Sequence, residues 1–202
     1  MISHLSQMTD LALFLFTTLV DVVLLLLVIR IFSSRWVSEY NQINKAIGIM
    51  TDRLISPLGH SSDPRRLAIV SIMLAIIIEF LSGLILFGMN CIKGPGVLDL
   101  FLFSGLKILD LVFTIFFFSI ILHAILSWLM PNQHSSASDF IRQLVIPVLN
   151  PIRRHLPVPA GLDFSPLIAI ILIQSFSLLI NENITAKILL NGIVCTNFQH
   201  LV

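Results

Sequence analysis

Four long apolar runs punctuate the chain: Leu11 to Phe32, Leu67 to Phe87, Ile108 to Met130, and Pro166 to Ile180 with a possible extension towards Leu190. A bilayer core about 30 Å thick is crossed by roughly 20 apolar residues in a helix, so the pattern predicts four transmembrane helices. The fourth run is the shortest, because Gln174 interrupts it and Asn181, Glu182 and Asn183 follow it. The first run has no Lys or Arg before it, and Ser33, Ser34 and Arg35 come after it rather than a small-residue cleavage site. It is therefore expected to stay in the mature protein as a span.

Between the runs the pattern changes to a helical period with two faces. Phe140, Leu144, Val148 and Ile152 recur every four residues, flanked by Ile141, Val145 and Leu149, with Arg142 and Gln143 opposite. This predicts an amphipathic helix capped by Ser136 or Ser138 and kinked at Pro147, which lacks an amide donor. Ile43, Ile47, Met50 and Leu54 give the connection between spans one and two the same character, ending at Pro57. Such helices lie in the headgroup plane with the apolar side down, pack on the spans, or do both.

Composition sharpens the class. The 202 residues are 56% hydrophobic with a mean hydropathy of +0.98, and only 11% are charged. That excludes a soluble globular domain and a disordered chain, and the formal charge of +1 offers no basic field for nucleic acid. The expected fold is all-α: a polytopic membrane protein with about four transmembrane helices in two repeats, plus amphipathic interfacial helices in the cytoplasmic loops. Arg35, Lys45, Arg53, Arg65 and Arg66 lie between spans one and two, and Arg142, Arg153 and Arg154 between three and four, against Lys93, Lys107 and Lys187 elsewhere outside the spans. By the positive-inside rule the Arg-rich connections face the cytoplasm, and both termini and the Cys91 loop face outward.

The two halves resemble each other. Placing Arg30 over His123 superposes Ser34 on Ser127, and one further residue of offset sets Pro57 on Pro151. Each half reads span, small-residue break, amphipathic segment, proline, basic pair (Arg65-Arg66 or Arg153-Arg154), span. This divides the chain into residues 1–96 and 97–202 as a parallel duplication, split near Gly94-Pro95-Gly96.

The second half carries Ser127-Trp128, then Ile146-Pro147-Val148-Leu149-Asn150-Pro151-Ile152-Arg153-Arg154, then Gly161-Leu162-Asp163-Phe164-Ser165-Pro166. In this it resembles the YggT family of bacterial inner-membrane proteins, which carry a duplicated two-span module with S-W, P-x-L-x-P-I-R-R and G-x-D-F-S-P elements. His123 stands where that family usually has Arg, and the first half lacks the G-x-D-F-S-P element. The resemblance implies a non-enzymatic structural or assembly role, in osmotic or extracytoplasmic stress tolerance or in membrane-complex maturation, in the inner membrane.

Enzyme signatures are missing from the sequence: there is no H-E-x-x-H, C-x-x-C, phosphate-binding glycine loop or G-x-S-x-G. No cofactor and no metal site is expected, and His123 is the only histidine within a predicted span, so the chain cannot supply two intramembrane haem ligands. Charged and polar residues inside spans are costly and mark candidate sites; Asp21, Glu79, His123 and Gln174 are the candidates among them. Asp21 and Glu79 lie at matching depths. Ala68, Ser71, Ala75, Glu79 and Ser82 form one stripe on a helical wheel, which turns Glu79 towards protein. Two readings stay open for the acids, interhelical hydrogen bonding or a proton or cation relay, the latter making the chain a small conductor in a homo-oligomer.

Arg30, near the cytoplasmic end, is expected to snorkel. Arg142, Arg153, Arg154, Asp163 and Ser165 are candidates for capping or for docking on anionic headgroups and on a membrane-protein partner. Ser165 is placed to cap the fourth span ahead of Pro166, and Asp163 either favours the helix start or pairs with Arg153 or Arg154. Cys91 and Cys195, both on the outward side, are a possible disulfide, with two unpaired thiols as the alternative.

Overall fold

The computed structural model describes residues 2–58, 63–93, 95–129, 135–155, 165–180 and 194–195. In chain order they form α1 (Ile2–Trp36), α2 (Gln42–Ile55) with a 3-10 turn at Ser56–Leu58, α3 (Pro64–Asn90), β1 (Cys91–Lys93), α4 (Val97–Leu129), α5 (Ser136–His155), α6 (Ser165–Ile180) and β2 (Val194–Cys195). Three helices contain segments long and apolar enough to cross a membrane: Leu11–Trp36, Pro64–Met89 and Val97–Ser127. The fourth apolar helix, α6, is shorter at 16 residues. Leu11, Phe14, Leu19, Phe118, Leu122 and Leu178 are among the many exposed large apolar side chains on these four helices. Such a surface is unfavourable in water and ordinary against lipid, so the protein is an all-α, multi-pass membrane protein.

One boundary departs from the sequence expectation. The third span does not begin after Lys107; α4 starts ten residues earlier at Val97, and Lys107 lies inside the membrane-crossing segment. The reason is that Val97 to Leu106 continues the apolar run, and the lysine that interrupts it has its charge met by other helices. Local rules set the other starts. Asp63 accepts from the Arg65 amide (3.0 Å) with Pro64 as the first helical residue of α3, where a missing amide hydrogen costs nothing. Asn41 caps α2 by accepting from the Ile43 and Asn44 amides at 2.9 and 3.3 Å.

Helix α5 is capped by neither Ser136 nor Ser138 alone. Ser135 and Ser138 each accept from the other's amide at 3.1 Å, a reciprocal pair that closes the first turn one residue earlier than expected. The helix runs through both Pro147 and Pro151 to His155. Its buried residues Phe140, Leu144, Val145 and Leu149 pack with Phe116 and Ile120 of α4, Ala169 and Ile173 of α6, and Ile47 of α2. Two further apolar clusters hold the rest. Val20, Leu24 and Leu27 of α1 meet Ala75 of α3 and Ile55 of α2, while Leu13, Leu86, Phe87 and Leu100 join α1, α3 and α4 at the end where α3 turns into α4.

Candidate functional site

Lys107 stands between the two acids. Its Nζ lies 3.1 Å from Glu79 Oε1 and 3.4 Å from Asp21 Oδ1, so α4 is ion-paired to α3 and α1 at once. Each of the three residues is ten positions from the end of its crossing segment on the strand side of the bundle, at Leu11, Met89 and Val97. At 1.5 Å per residue this sets all three at one level, about 15 Å along each helix from that end. The stripe Ser71, Ala75, Glu79 and Ser82 is buried, and small side chains there let α1 and α3 approach closely. The Glu79 side chain is 2% exposed, whereas Lys107 is 38% and Asp21 54% exposed. Glu79 Oε2 is buried without a hydrogen-bond partner. Two carboxyl groups thus share one ammonium.

A second ion pair closes the other end. Arg30 does not snorkel into the headgroups; its Nη2 reaches Asp52 Oδ1 of α2 at 3.1 Å with only 13% of the side chain exposed. Gly48 permits this, since a Cβ there would stand 3.2 Å from Arg30 Nη1. The turn between α1 and α2 is tied across to α5: the Ser38 amide donates to Gln143 Oε1 at 2.7 Å, and Asn41 Nδ2 donates to the Ser136 carbonyl at 2.8 Å. On the outward side of α5, Arg142 pairs with Asp139 at 3.4 Å, Arg153 is half-buried, and Arg154 and His155 are exposed. His155 Nδ1 lies 2.8 Å from the Pro151 carbonyl.

The remaining sequence candidates do not gather around either pair. His123 is half-buried in the last third of α4 and Gln174 is exposed on α6. Ser165 is buried and is the first helical residue of α6, followed by Pro166; Asp163 lies outside the described residues. The β1–β2 backbone sets Cys91 opposite Cys195, while their side chains lie outside the described ones. No group of three or more His, Cys, Asp and Glu residues suited to a metal ion occurs among the described residues.

Sequence reasoning overlooked Lys107, Asp110 and Asp52. Asp110 follows Lys107 by one turn and accepts from Ser177 Oγ of α6 at 2.7 Å. The available signal was a charge pair three residues apart, flanked on both sides by apolar sequence. Chemically, the arrangement ties three helices together at one level through a single lysine.

Comparison with known proteins finds relatives over most of the chain. The family model described as CCB3/YggT matches residues 102–184, from near the start of α4 to just past α6. A Pseudomonas aeruginosa protein, PA0392, is 29% identical over 87% of this chain and 90% of its own length. YggT of Escherichia coli K12 is 30% identical over 89% of this chain and 95% of its own, and a Haemophilus influenzae protein is 31% identical over 68% of this chain and 72% of its own. No solved structure matches. The likeness to Escherichia coli YggT thus runs through α1, α2 and α3 as well as the better-matched second half, and the chain belongs to the YggT family.

Proposed function

We propose that the protein is a non-enzymatic structural or assembly factor of the bacterial inner membrane, active in membrane-complex maturation or in osmotic and extracytoplasmic stress tolerance. It presents the basic side of α5 to anionic headgroups and to a membrane-protein partner. The observation that carries this reading is the way α5 is mounted. Its apolar side is packed into the bundle, its prolines lie within the helix, and Arg142 and Arg154 are left on the outer side. With Lys107 deep inside α4, the basic residues of the connections and of the helix turns next to them divide eight on the α2 and α5 side against Lys93 and Lys187, which favours a cytoplasmic α2/α5 end and periplasmic termini. The order span, short helix, span occurs in both halves, consistent with a duplication divided at residue 96.

The test is Arg142→Gln, Arg153→Gln and Arg154→Gln together, since each basic residue near an anionic surface contributes roughly 1 kcal/mol. Complementation of a deletion strain under osmotic stress should fail at normal protein abundance. Undiminished growth would place the docking surface elsewhere.

A second reading is favoured by one observation, the half-exposed Asp21 in a cluster of two carboxyl groups and one ammonium. In a homo-oligomer this cluster is a relay for protons or small cations. Asp21→Asn and Glu79→Gln in reconstituted vesicles should then reduce ion flux; unchanged flux with intact folding removes the relay.

A further inference from the structure

The chain has two cysteines, and the fold brings their backbones together from distant parts of the sequence. Cys91 directly continues α3, and Cys195 lies beyond α6. Strands β1 and β2 run antiparallel with Cys91 opposite Cys195 and Lys93 opposite Val194, one extra residue of β1 being accommodated between the two pairs. Directly opposed residues of antiparallel strands have Cα atoms about 4.5 to 5.5 Å apart, within the roughly 4.4 to 6.8 Å over which disulfides form. A pairing of three residues with two is too short to persist by its ladder alone. We propose that Cys91 and Cys195 form an intrachain disulfide that fastens the segment after α6 to the turn between α3 and α4.

The step balances as an oxidation of two thiols. The sulfurs join with loss of two protons and two electrons, and the electrons pass by thiol–disulfide exchange to a protein dithiol oxidant of the exported compartment, whose own disulfide becomes two thiols. The proposal rests on the outward placement of this end of the bundle.

Membranes from acid-quenched cells, blocked with N-ethylmaleimide, denatured, reduced and labelled with a heavy polyethylene-glycol maleimide, give the answer on the unmodified chain. The expected result is two adducts after reduction and none when reduction is omitted. Cys91→Ser or Cys195→Ser should abolish the reduction-dependent adducts. Thiols already blocked before reduction would overturn the proposal, and so would a non-reduced band at the mass of two chains, which would mean a bond between copies. A reporter fused after Val202 separates the causes. A cytoplasmic signal with free thiols refutes the orientation and the bond together, and a periplasmic signal with free thiols refutes the bond alone.

Discussion

Lys107 ties three helices together, because it answers carboxyl groups on two other helices at 3.1 and 3.4 Å. Removing one member of a buried ion pair typically costs about 3–5 kcal/mol, while removing all charged members together is far less costly. Lys107→Met should therefore strongly lower thermal stability in detergent and abundance in the membrane. Adding Asp21→Asn and Glu79→Gln to it should restore most of both, a non-additivity that marks residues acting as a unit. Stability unaffected by Lys107→Met would show that the cluster does not hold the helices. Asp21 and Glu79 were legible in the sequence because each is a lone charge deep in an apolar run. Lys107 was not, since a charge near the edge of a run reads as its boundary until the partners that admit it to the membrane are known.

At the scale of elements, the approach of α3 to α4 is set by Gly83, where a Cβ would fall 2.8 Å from Leu100 Cδ1. Leu100 is itself buried and cannot swing out freely. Gly83→Ile should destabilise by about 1–3 kcal/mol through overpacking, and Leu100→Ala in the same chain should recover part of the loss, measured as the shift in unfolding midpoint against each single variant. The periodicity of Phe140, Leu144 and Val148 was enough to foresee α5 as a helix. Its first turn was misplaced by one residue because serines at 135, 136 and 138 are chemically equivalent caps. The bonds from Ser38 to Gln143 and from Asn41 to Ser136 join segments about a hundred residues apart, and nothing in either local pattern announces them.

For the whole molecule, the Ser177–Asp110 bond and the stacked rings of Phe113 and Phe176, 6.5 Å between centroids, set the last described turn of α6 beside the Lys107 level of α4. Described α6 thus ends near that level, with residues 181–193 between it and β2 in the sequence. Because β2 pairs with β1, the segment after α6 returns to the end where α3 turns into α4. Reporter fusions after Val202 and within residues 88–96 should both register as periplasmic, and fusions near residues 60 and 135 as cytoplasmic; a cytoplasmic signal at the C-terminus would overturn this orientation.

The sequence by itself determined the class of the protein, the number and approximate extent of its apolar helices and the helical character of the α2 and α5 connections. These follow from hydropathy and period, which describe how one element meets its solvent. Only the tertiary structure decided that Lys107 lies within the apolar helix α4 and joins Asp21 and Glu79, that Arg30 pairs with Asp52, and that Cys91 lies opposite Cys195. A charged side chain's place depends on which distant residue neutralises it, and that is settled when helices pack against one another.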